Sequence, residues 1–448
     1  MNGLKRVASL AAFAAMCLFV GTAPNANAQA AAAPAAGQDA GAAKQPYTMA
    51  EYNAYQAAAA DKNPTSQVKE LDDFVAKYPN SALLNFVYPL YYQAYSQLKN
   101  YPKVIEYADK LVAMGDKVDA GAKYQALYAR AFAYNAMNST DPAQAKAAHD
   151  AALAGLKALD DLKKPENMSD TDFAAQKQKI QIYFNGTAAQ TSMILKDYAG
   201  AVQAYKAVLT LTPDDAISSY RLGQAYLAMT PPQTMDAFWA IARAVTSKGA
   251  TQQQSTQVKT YLRKLLANYQ QATCESLTDA ELNELLQLAG SSTERPASYK
   301  LVSADDLATA RKDMTIASVI ADLKAGGDKG KITWLSSCGL EFPGVPGKVI
   351  EVTPGEPIVF KIAFVTSEAE FDAATTPNME VKVAGQPEAG RVEKDNPIHF
   401  TGTLTSFDPD PAFMLHWDKA KVSEEDIPKE KAAPKKPTAR RPTAKKPS

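Results

Sequence analysis

Between Ile182 and Thr246, small and aromatic apolar residues recur at helical spacing, and the pattern begins again 34 residues on, at Ala216. A chain that repeats one amphipathic helical pair cannot bury the apolar stripe of a single pair. Neighbouring pairs must stack so that each covers the next. The pattern returns earlier at wider intervals. Pairs anchored at Thr48, Asn85 and Tyr124 stand 37 and 39 residues apart. Charged residues and Pro165, over about 160–179, read as an insertion before the pair at Ile182.

In the clearest stretch, Ala201, Tyr205 and Val208 mark a second helix that Pro213 closes. Leu222, Gly223 and Tyr226 open the next pair, and Ala237, Ile241 and Ala244 continue it after Pro231-Pro232. Small side chains let two helices approach, and an aromatic ring fills the gap between them. These residues resemble the tetratricopeptide repeat, a helix–turn–helix of about 34 residues with a Leu-Gly-x-x-Tyr signature in its first helix. Looser units precede them. One ends in Gln67, Leu71, Phe74 and Pro79. The next carries Tyr88, Tyr91, Tyr92 and Tyr95, then Tyr101, Val104, Ala108 and Leu111. A third carries Leu127, Ala131 and Tyr134, then Ala145, His149 and Ala152. His149 falls on an apolar face and reads as a packed core residue. About five units over 47–250 exceed the roughly three needed for a continuous core.

The resemblance implies a protein-interaction scaffold whose first helices line a concave groove for a partner segment. In register, Gln56, Gln93, Phe132, Gln190 and Gln224 fill one groove slot, and Tyr52, Pro89, Tyr128, Gly186 and Tyr220 fill the slot one turn earlier. A glutamine amide both donates and accepts, so a row of them suits a partner's backbone. The tyrosines add flat amphipathic area. No Lys/Arg cluster stands there to clamp a C-terminal carboxylate. A merely polar inner face is the competing account of the same residues.

The ends of the chain differ in texture. Residues 1–28 read as a secretory signal: Lys5 and Arg6, an apolar run from Val7 to Val20, then Ala26-Asn27-Ala28 before a mature start at Gln29. Cys17 follows the bulky Met16, which argues against lipidation. Residues 29–46 are an Ala/Pro/Gly/Gln linker. From 251 to 325 three further helices are expected to cap the open end of the solenoid: one over Thr251–Gln271, one starting at the Thr278–Glu281 capping box, and one from Ser303 to about Lys324. Past Gly327 the texture becomes strand-like. Short β-branched and aromatic runs at Val349–Val352, Ile358–Phe364, Met379–Val383, Ile398–Phe407 and Phe413–Trp417 make 326–422 a small β-domain. It resembles an OB-type five-stranded barrel, with a seven-strand sandwich as the competitor. The fold class is mainly α: a tetratricopeptide-like solenoid followed by a small C-terminal barrel or sandwich. Residues 423–448 form a basic Pro/Lys-rich tail that cannot build a core.

The 48 basic and 48 acidic residues cancel. The tail is strongly basic and the body therefore acidic, which argues against nucleic acid as partner. Catalytic motifs are missing. Gly344-Val345-Pro346-Gly347-Lys348 lacks the Ser/Thr of a phosphate loop and reads as a turn leading into a strand. Asp408-Pro409-Asp410-Pro411 reads as a hairpin turn. Cys338 with His399 or His416 imitates a thiol–imidazole pair without any orienting signature. Two cysteines remain after cleavage, Cys274 and Cys338. An oxidising compartment permits a disulfide, but they fall in stretches that read as different domains, which favours two separately buried thiols. The sequence therefore points to an exported, non-enzymatic scaffold, periplasmic or extracellular, without cofactor or metal, that binds a protein or peptide partner of the cell envelope. The alternative is a module that binds envelope glycan, anionic polymer or lipid through the β-domain and tail, with the solenoid as spacer.

Overall fold

The computed structural model describes residues 46–409 and 411–429. The expected leader, all but the last residue of the linker and the tail after 429 lie outside the described residues. The described residues form two compact units: one takes those up to Leu262 together with Asn283–Tyr299, the other takes Arg263–Leu282 and the described residues from Lys300 on. Among the described residues no helix is long and apolar enough to cross a membrane.

The first unit begins as five helical pairs. They are α1 (Met49–Ala60) with α2 (Pro64–Lys77), α3 (Leu84–Gln97) with α4 (Tyr101–Ala113), α5 (Ala120–Met137) with α6 (Pro142–Ala158), α7 (Asp170–Ile194) with α8 (Tyr198–Leu211), and α9 (Ala216–Ala228) with α10 (Thr234–Thr246). Short polar residues start most of them. Asn63, Asn100, Asp141, Asp197 and Asp215 each accept a backbone N–H of the first turn, and Pro64 and Pro142 occupy positions whose N–H would be unpaired anyway. Between α9 and α10 the glycine at 223 lets the helices touch, because a Cβ there would lie 2.4 Å from Ile241 Cγ1. Gly155 does the same for α6 against the ring of Phe184. The core runs from pair to pair through Leu71, Tyr92 and Leu111, then Leu127 and Phe184, then Tyr205, Leu222 and Tyr226. The expected insertion at 160–179 is only half a loop. From Asp170 the chain is already the first turns of α7, capped by Ser169, which makes α7 25 residues long. His149 is half-buried, with Nδ1 3.2 Å from Thr191 Oγ1.

Further helices follow: α11 (Gln252–Gln270), α12 (Glu275–Ser291), α13 (Ala304–Lys312), α14 (Ile316–Ala325) and α15 (Gly327–Ser337). Three expectations fail here. The Thr278 capping box does not start α12, which begins three residues earlier, and Thr278 is buried within it. The single helix expected from Ser303 is two, because Thr315 opens a second capping box. Residues 327–337 are helix and not strand. Gly330 is there for close packing, since a Cβ would lie 2.9 Å from the Asp322 carbonyl of α14. Thr333 donates to the Asp322 carboxylate across the same contact.

The second unit is built around a closed five-stranded barrel: β1 (Glu341–Thr353), β2 (Ile358–Phe364), β3 (Met379–Val383), β4 (Pro397–Asp408) and β5 (Met414–Val422), in the order β1-β2-β3-β5-β4. A short helix α16 (Glu368–Ala373) lies between β2 and β3 in sequence. β3 and β5 pair in parallel, and β1 and β4 close the barrel. This is the OB-type arrangement, and it excludes the sandwich. Phe360, Val381, Phe400, Leu404, Leu415 and Trp417 alternate inward, and Ile316, Val319 and Leu323 of α14 join that core. β1 starts earlier than expected. Pro343 and Pro346 argue against a strand, but the pairing with β4 shifts between Phe342 and Val345 and so accommodates them. Gly344-Val345-Pro346-Gly347-Lys348 is thus part of β1 and not a turn before it. A Cβ at Gly347 would meet Ile362 at 2.2 Å.

Cys274 and Cys338 form a disulfide, with Cα atoms 5.8 Å apart. The expectation of two separate thiols is overturned because both residues belong to the same unit. The pairing also removes Cys338 as a nucleophile.

Candidate functional site

The first helices of the pairs, α1, α3, α5, α7 and α9, carry the ten residues read as a groove. They do not form one continuous row. Gln56 is exposed, Gln93 is half-buried, and Tyr52 is half-buried with its ring stacked on Tyr47 at 5.9 Å. Tyr128 and Phe132 are core residues, 5% and 9% exposed. Tyr128 stacks on Tyr183 at 4.7 Å and meets Phe184 edge-on. Burial pushes its phenol up to about 12. Phe132 packs edge-on against Tyr101. These two positions therefore leave the candidate groove. The cause is the long α7, whose Tyr183 and Phe184 fill the space that register alone leaves open before α5.

The remaining predicted residues do meet partners. Gln190 of α7 accepts from Arg221 of α9 through Oε1 at 3.4 Å. Gln224 donates to the Tyr220 hydroxyl at 3.1 Å, and the Tyr220 ring meets Tyr261 of α11 edge-on at 5.8 Å. Burial, then the neighbouring Tyr261, raises the Tyr220 phenol above its usual range. The strip continues toward α5 through residues that sequence register did not single out. Asn135 donates through Nδ2 to the Tyr183 hydroxyl at 3.0 Å and to Thr187 Oγ1 at 2.8 Å. Its Oδ1 is buried without a partner. Helical spacing offers a signal for Asn135, which lies near Phe132 on the next turn of α5. Nothing in the single sequence flags Arg221 or Tyr261 as neighbours of Gln190 and Tyr220, because those pairings depend on how α7, α9 and α11 stack.

The strip thus joins α5, α7 and α9 by side-chain amides, hydroxyls and one guanidinium, and reaches Tyr261 of α11 by a ring contact. Amides and hydroxyls that both donate and accept can exchange these partners for the N–H and C=O groups of an extended segment. A single cation adds modest charge selectivity.

On the barrel, His416 lies between two carboxylates, with Nε2 2.9 Å from Asp408 and Nδ1 3.3 Å from Glu380. His399 reaches Asp426 at 3.1 Å. Among the described residues no cluster of His, Cys, Asp and Glu suits a metal ion.

A family model described as TPR repeat matches residues 193–229, the stretch from the end of α7 through α8 and α9. The chain therefore carries a tetratricopeptide repeat within its helical array. No curated protein shows a significant match to the chain.

Proposed function

We propose that the chain is an exported scaffold that holds an extended segment of a partner protein along the first-helix strip of its solenoid. The observation that carries this reading is the strip of Asn135, Tyr183, Thr187, Gln190, Arg221, Tyr220 and Gln224. Its groups are polar and, apart from the buried Thr187, half-buried, on a face where core packing asks for neither glutamine nor arginine. Tetratricopeptide repeats act as interaction scaffolds, which supports a protein as the partner and a role other than catalysis. The apolar leader and the Cys274–Cys338 bond support export, because thiols of cytosolic proteins are kept reduced. The barrel and basic tail would fix the scaffold in the envelope, the tail by attraction to anionic lipid or wall polymer. A photo-crosslinker placed at Gln190 or Gln224, activated in intact cells and followed by mass spectrometry, should capture one shared protein from both positions. Capture from Gln56 on α1 but from neither of these would place the partner elsewhere on the solenoid.

A further inference from the structure

Where α2, α3 and α4 meet, three tyrosine rings stack and one of them holds a proton acceptor. The rings of Tyr91 and Tyr107 lie 3.8 Å apart and 8° from parallel. Tyr95 stacks on both, at 6.1 Å from Tyr91 and 5.7 Å from Tyr107. Tyr91 is 1% exposed, whereas Tyr95 is half-buried and forms the accessible edge of the stack. The Tyr91 hydroxyl donates to Asp72 Oδ1 at 2.6 Å, within the roughly 2.5–2.7 Å of an O–H held by a carboxylate. Asp72 itself is exposed on α2. Packing alone accounts for the rings, since phenylalanine fills the same space, but not for a phenol aimed at a carboxylate.

A phenol gives up an electron readily only when its proton leaves at the same time, because the cation left behind is a strong acid. Burial, then the bond to Asp72, pushes the Tyr91 phenol far above its usual range, so it is not ionised beforehand. Electron and proton must therefore leave together, and Asp72 stands where the proton goes. Charge separates Tyr91 from its neighbour. The Lys110 ammonium, paired with Glu106 at 2.7 Å, lies 4.3 Å over the Tyr107 ring and opposes positive charge there.

We propose that Tyr91 and Asp72 form a one-electron oxidation site reached through Tyr95. A one-electron oxidant at the surface takes one electron from the stack. The Tyr91 O–H bond breaks, its proton bonds to Asp72 Oδ1, and a neutral phenoxyl radical remains on Tyr91. A one-electron reductant restores the phenol as the proton returns. The buried ring keeps the radical from coupling with a second molecule, so it outlives radicals on exposed tyrosines. Tris(bipyridine)ruthenium(III), generated by light and persulfate, is the oxidant for the test on the whole chain, with the radical followed by electron paramagnetic resonance. A long-lived tyrosyl component should form. Tyr91→Phe, which keeps the ring in the stack, should remove it, and Tyr128→Phe, a buried tyrosine elsewhere in the solenoid, should leave it unchanged. Asp72→Asn keeps a hydrogen-bond acceptor at an exposed position but no base, and should lower the yield several-fold. A merely structural hydrogen bond gives Asp72→Asn the parental yield. The proposal is overturned by that result, by the absence of a long-lived component, or by its survival in Tyr91→Phe.

Discussion

At the scale of single residues, the approach of α9 to α10 rests on Gly223, where a Cβ would lie 2.4 Å from Ile241 Cγ1. Leu222, Gly223 and Tyr226 were legible because their work is local: they let α9 and α10 meet at a fixed spacing. Gly223→Ala is expected to destabilise the first unit by about 1–3 kcal/mol, since the added methyl would press on Ile241 and on the Ala237 carbonyl 2.9 Å away. Chemical denaturation followed by helical circular dichroism measures it, and an unchanged midpoint would mean that the two helices can move apart freely. Tyr128 was not legible. A tyrosine on a first helix faces either partner or core, and the deciding residues, Tyr183 and Phe184, lie more than 50 positions further along the chain. Tyr128→Ala should therefore cost about 3–5 kcal/mol, as for a large buried aromatic side chain. Loss of partner binding without that loss of stability would return Tyr128 to the groove.

At the scale of elements, β2 and β3 lie where β-branched runs between turns put them, because strands of a closed barrel alternate in and out with little outside help. The misplaced elements are those where glycine or proline serves packing. Gly330 sits inside α15 to approach α14, and Pro343 and Pro346 sit in β1 beside the register shift. The cysteine pair was illegible for another reason: residues 263–282 read as part of a helical cap, yet they pack with the barrel's unit. The disulfide closes a loop of 64 residues there. Cys274→Ser with Cys338→Ser should destabilise the second unit by about 2–5 kcal/mol. In a Trp239→Phe background, fluorescence reports only Trp334 and Trp417, both of the second unit. Its unfolding midpoint should fall while the helical transition of the first unit stays in place. An unmoved fluorescence midpoint would show that the bond adds nothing to the barrel's stability.

At the scale of the whole molecule, a repeating helical array and a separate barrel divide the work, and the proposed functions fall on different parts. The partner strip is uncharged except for Arg221, whereas the charged residues of the tail after 429 are all basic but Glu430. Salt therefore separates the two modes of attachment, since screening weakens exposed charge contacts over about 10 Å at moderate ionic strength and leaves neutral hydrogen bonds nearly unaffected. Tyr220→Ala together with Gln224→Ala should weaken partner binding at least about tenfold, the usual effect of losing an aromatic anchor with its polar neighbour. The fold should survive, because both side chains are half-buried and bond chiefly to each other. Removing residues 429–448 should leave partner affinity in solution unchanged and release the protein from anionic vesicles, with salt doing the same. If instead the double variant keeps full affinity for its partner while tail removal abolishes it, the solenoid is a spacer, and attachment belongs to the basic tail and the barrel.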